Sequence, residues 1–162
     1  MKNKNLSFMT QAAMIAAIYV VLTYIFAPFS FGEVQVRISE ALTILPIFTP
    51  AAIPGLFAGC LIGNILGGAI LPDIVFGSIA TLIGAFFTWK LREQKPVVAT
   101  FPPIISNIII VPFVLRYGYG VTLPIPFMML TVGIGEVISC TVLGMIVYGA
   151  LKKYKSTLFR TA

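Results

Sequence analysis

The chain has 162 residues, 59% of them hydrophobic, 10% charged and none histidine, with a formal net charge of +6. A soluble domain of this length keeps about 25% of its residues charged and exposes much of its area to water. The composition therefore excludes a water-soluble globule and any imidazole chemistry, and it predicts an all-α membrane protein whose solvent is largely lipid.

The apolar run from Phe8 to Phe26 is close to the roughly 20 residues that span a bilayer. No short apolar core with a cleavage site precedes it, so it reads as a retained first helix over 8–27 and not as a signal peptide. "FSFGEVQVR" is polar enough for a loop, and a short second helix follows over 38–49, with Ser39 as its expected cap. "TPAAIPG" leads directly into a third helix over 51–70. "ILPD" is a tight turn that opens a fourth helix over 73–90, and "KLREQKP" is a charged turn. A fifth helix is expected over 96–116, and "RYGYGVT" turns the chain into a sixth over 123–151. The expected architecture is thus a single domain, residues 1–162, with six transmembrane helices.

The basic residues give that arrangement an orientation. Lys2, Lys4, Lys90, Arg92, Lys95, Lys152, Lys153, Lys155 and Arg160 fall on one side, and only Arg37 and Arg116 on the other. Such an imbalance places both termini in the cytoplasm. The positive net charge then reflects topology and contact with anionic lipid, not nucleic-acid binding.

Two small-residue patterns predict close packing. Gly55, Gly59, Gly63 and Gly67 recur at every fourth position, on one helix face. Ala12, Ala13, Ala16 and Ala17 form two overlapping small-residue frames on the first helix, suited either to internal packing or to a separate subunit. Cys60 and Cys140 match no metal or redox spacing and read as small buried hydrophobes.

Away from the cytoplasmic charges, the polar residues are few: Glu33, Arg37, Glu40, Asn64, Asp73, Asn107, Arg116 and Glu136. A charge at the centre of a spanning helix costs roughly 2.5–3.5 kcal/mol on insertion scales, so such residues face inward and serve function. Glu136, midway along the sixth helix, is the clearest case, and nothing in its own helix is expected to neutralise it. Arg37, Glu40, Asn64, Asn107 and Glu136 are the candidate binding residues. In a six-helix arrangement they lie between the midplane and the outer surface, which suggests an outward-facing pocket for a polar small molecule. Each also has a plainer reading. Arg37 and Glu40 suit an interfacial ion pair, Asn64 an interhelical hydrogen bond, and Asn107 a donor to carbonyls freed by Pro102 and Pro103. Asp73 reads as a first-turn carboxylate favoured by the helix dipole, and Glu33, Arg116, Tyr117 and Tyr119 as solvated loop or interface residues. Pro46, Pro50, Pro54, Pro102, Pro103 and Pro112 fall within helical patterns, as at broken helices lining a substrate cavity.

No GxxxxGK[ST] phosphate loop is present, so ATP hydrolysis by that route is excluded; no metal-ligand cluster, cofactor motif or convincing catalytic nucleophile stands out either. Nor does a second half repeat the first, as in a self-contained inverted-repeat transporter.

The stretch "VQVRISEALTILPIFTPAAIPGLFAGCLIGNILGG", residues 34–68, together with "GEVISC" in the sixth helix, resembles the QueT family. These are membrane-embedded substrate-binding (S) components of energy-coupling factor (ECF) transporters, assigned to queuosine precursors. The resemblance implies an ECF S-component-like bundle that captures a 7-deazaguanine outside the cell. It would dock through the Ala12/Ala16 and Ala13/Ala17 face on a transmembrane coupling protein served by two ATPases, with no catalytic residues, cofactor or metal of its own. Under that reading Glu136 accepts from the N1–H and exocyclic amine of the base. Asn107 or Arg37 meets its carbonyl, Glu40 lies near a cationic arm or pairs with Arg37, and Tyr117, Tyr119 or a phenylalanine stacks on the ring. Two rivals stay open: a membrane enzyme using Glu40 and Glu136 as acid and base, and a stand-alone facilitator.

Overall fold

The computed structural model describes residues 2–30 and 36–159, and among these every regular element is helical. In chain order they are α1 (Lys2–Ile25), α2 (Ala27–Ser30), a 3-10 helix (Ile38–Ile47), α3 (Ala52–Leu66) and α4 (Leu71–Lys90). A 3-10 turn (Val98–Thr100) leads into α5 (Phe101–Tyr117); then come α6 (Ile125–Glu136), a π-helical segment (Val137–Leu143), α7 (Gly144–Lys152) and α8 (Lys155–Leu158). Four stretches are long and apolar enough to cross a membrane: Lys4–Ile25, Leu71–Lys90, Val98–Tyr117 and Ile125–Lys152. Ile38–Ile47 and Ala52–Leu66 are shorter apolar helices.

The second predicted helix proves to be of the tighter 3-10 kind, ten residues long. At about 2.0 Å per residue it reaches roughly 20 Å, where an α-helix of equal length reaches about 15 Å. With three residues per turn, every third side chain shares a stripe. Leu42, Leu45 and Phe48 pack with Ile15, Tyr19 and Leu56 of α1 and α3. Ile44 and Ile47 pack with Ala99 near the opposite wall. Arg37, Glu40 and Thr43 form the remaining stripe, and it is polar. Long 3-10 runs are uncommon. This one is buried along nearly its whole length, so all three of its stripes are held by surrounding helices.

Around it, α1 packs on α3, α3 on α4, α4 on α5, and α5 on α6. The glycines of α3 make the first contact possible. A Cβ on Gly55 would lie 2.7 Å from the backbone oxygen of Ala12, and one on Gly59 would lie 2.7 Å from Cβ of Tyr19. Ala12 and Ala16 accordingly belong to the α1–α3 seam, while Ala13 and Ala17 face outward with Met14, Ile18 and Val21. Gly67 lies past the end of α3, as its C-cap.

The prolines act differently from expectation. Pro102 and Pro103 occupy the first turn of α5, where a missing N–H costs nothing, and Pro54 occupies the first turn of α3. Only Pro46 and Pro112 are interior to a helix. Asn107 therefore has no proline-freed carbonyls to serve at the start of α5.

A buried polar cluster as the candidate binding site

Six polar or charged residues from five elements are almost fully buried: Arg37, Glu40, Asn64, Asp73, Asn107 and Glu136, each at most 6% exposed. Glu33 lies outside the described residues. Arg116 and Tyr117 are exposed, as the sequence suggests.

The 3-10 stripe supplies Arg37 and Glu40. Tyr19 of α1 donates its hydroxyl to Oε1 of Glu40, and one helical turn later Thr23 donates to Oγ of Ser39 (2.8 Å). Ser39 is thus a partner for α1 and not a helix cap. Oε2 of Glu40 has no hydrogen-bond partner. Thr81 of α4 stands beside it, but its hydroxyl is directed to the Gly77 carbonyl (3.1 Å) and to Sγ of Cys60 (3.4 Å).

Glu136 ends α6 where the backbone widens into the π segment, a local geometry that recurs at functional sites. Its Oε2 accepts from the Cys140 thiol (3.2 Å), a donor from its own span that carries no charge to neutralise it. Asn107 of α5 supplies an amide to the same carboxylate. The ligand atoms of Glu40, Glu136 and Cys140 all lie within 4.8 Å of one another. A trio this tight has the spacing to share a cation; to ligate a metal, Cys140 would give up the proton it donates to Glu136.

At the start of α4, Asp73 is 2% exposed and its Oδ2 lies 3.7 Å from Nη2 of Arg37. Asp73 stands in the first turn of α4, as the sequence suggests, and is in addition the ion-pair partner of the buried arginine. Asn64 donates to the Asp73 backbone carbonyl (3.2 Å), which ties α3 to the first turn of α4. The Tyr119 hydroxyl donates to Oδ2 of Asp73 (3.0 Å) and accepts from the Ile70 amide (3.4 Å). Burial, and then the Asp73 charge, push this loop phenol above its ordinary range, so it keeps its proton and stays a donor at neutral pH. A Cβ on Gly77 would intrude 3.0 Å from Asp73 Oδ1 and 3.2 Å from Asn64 Nδ2, so glycine keeps this corner open.

Sequence reasoning thus named five of these buried residues and missed Tyr19, Asp73 and Cys140 as participants; Tyr119 was named for ring stacking, not for its bond to Asp73. A signal for Cys140 was available: it sits four residues after Glu136, one helical turn along the same face. The others depend on contacts between distant segments. By contrast, the surface groove between α4 and α5, lined by Pro72, Phe76, Ile109 and Phe113, is apolar and includes no cluster residue.

Buried ionisable groups drawn from distant helices, inside a largely apolar helical protein, define the class: a membrane protein with a buried polar centre. Residues 9–153 match the QueT transporter family, and the chain belongs to that family of membrane transport proteins. A similar protein is "Queuosine precursor transporter QueT" of Lactococcus lactis subsp. cremoris (strain MG1363), 33% identical over 84 residues, which are 51% of this chain and 48% of that one. The chain thus matches about half the length of this curated relative. No solved structure matches the chain.

Proposed function

We propose that this chain is the substrate-capturing S component of an ECF transporter and takes up a 7-deazaguanine queuosine precursor. The observation that carries the reading is the meeting of Glu40, Glu136, Asn107 and Arg37 in one buried cluster. Carboxylates accept the N–H groups of such a ligand, and an amide or guanidinium donates to its carbonyl. The name of the Lactococcus relative points to the same ligand class.

In this account the four long stretches span the bilayer and the shorter Ile38–Ile47 and Ala52–Leu66 complete the six-helix bundle within it, both termini are cytoplasmic by charge imbalance, and the cluster is loaded from outside. The outward face of α1, with Ala13 and Ala17, docks on a transmembrane coupling protein, and two separate ATPase subunits supply the energy. Membership of a transporter family favours this over the acid–base enzyme, although Glu40 and Glu136 are close together.

The test is a thermal-shift screen of the purified chain in detergent against purines and their 7-deaza analogues. The proposal expects stabilisation by 7-deazaguanines and none by adenine. Absence of stabilisation by every 7-deazaguanine overturns it.

A further inference from the structure

Resting on that reading, we infer that Glu40 and Glu136 together form a cation subsite that receives the protonated amine of the ligand's side arm, so the protein selects amine-bearing 7-deazaguanines over neutral ones. The first ground is spacing. The two carboxylates lie within 4.8 Å of each other. A base and its arm are longer than this gap, so in this arrangement the pair does not hold the donor edge with one carboxylate and the arm with the other. An ammonium nitrogen about 2.8 Å from each of two oxygens bridges atoms up to roughly 5.6 Å apart, which suits the pair.

Charge is the second ground. Among the described residues, the buried charged side chains are Glu40, Asp73 and Glu136 against Arg37. Asp73 lies nearest that guanidinium, which also acts on Glu40 and Glu136; three carboxylates against one arginine still leave an excess of negative charge, with two of the carboxylates beside each other. Their other close partners, Tyr19, Cys140 and Asn107, are neutral donors. Two charged carboxylates repel in a dry site unless a proton or a cation lies between them. The third ground is the second oxygen of Glu40, which is buried and accepts no hydrogen bond from the protein. A neutral nitrile offers it nothing, whereas the ammonium of an aminomethyl base, or of queuine, offers a charge-assisted donor.

The experiment compares equilibrium binding of the aminomethyl and nitrile 7-deazaguanines to the wild-type chain, Glu40→Gln and Glu136→Gln, with thermal unfolding confirming that each variant is folded. The wild type is expected to bind the aminomethyl base at least about tenfold more tightly than the nitrile, and each variant to lose most of that ratio. Equal wild-type affinities, or a ratio that survives both substitutions, overturns the inference while leaving the transport reading intact. Failure of both bases to bind the wild type overturns the transport reading itself. Stabilisation of the wild type by Zn²⁺ alone, abolished in Glu40→Gln, would make the pair a metal site and also overturn the inference.

Discussion

Tyr19 illustrates how a residue of ordinary appearance supports the cluster. It is 1% exposed, and its hydroxyl is the donor to Oε1 of Glu40, whose other oxygen has no partner. Tyr19→Phe leaves that buried carboxylate without a hydrogen bond and should cost about 1–3 kcal/mol of stability, read as a lowered melting temperature. An unchanged melting temperature would mean that the contact carries no net energy. The sequence announces charges in apolar segments, and so Glu40 and Glu136 are legible from cost alone. It does not announce Tyr19, because a tyrosine in a spanning helix is unremarkable until its partner, 21 residues away, is known. Asp73 was hidden for a related reason: a carboxylate behind a helix-opening proline has a sufficient local explanation, and only the folded chain brings Arg37 to it.

Among the elements, the α1–α3 seam was readable as a glycine stripe, whereas the form of the second helix was not. A ten-residue apolar segment fits several helix types, and the choice depends on whether its stripes at every third residue all find neighbours. The π segment after Glu136 was equally silent in sequence. The seam makes a paired prediction. Gly55→Ala places a methyl group 2.7 Å from a backbone oxygen of α1 and should destabilise by about 1–3 kcal/mol. Gly149→Ala, in α7 with open space around its Cβ position, should be neutral or add up to about 1 kcal/mol through helix propensity. Thermal unfolding of the two variants side by side checks both, and equal melting temperatures would contradict the seam.

As a whole molecule, the chain joins a polar centre to an apolar exterior and lacks a phosphate loop. The purified chain should therefore show no ATPase activity, and liposomes containing it alone should accumulate no ligand; accumulation without partner subunits would favour the facilitator reading. The polar centre was largely anticipated from the sequence because membrane burial makes every charge conspicuous, while the pairing within it required the fold. The central claim is that this cluster holds the solute, and the most direct measurement is the affinity of Glu136→Gln for the aminomethyl 7-deazaguanine beside that of the wild type. Binding should weaken by about 10- to 100-fold, or roughly 1.4–2.7 kcal/mol, in a variant that unfolds at the wild-type temperature. Wild-type affinity in that folded variant would contradict it.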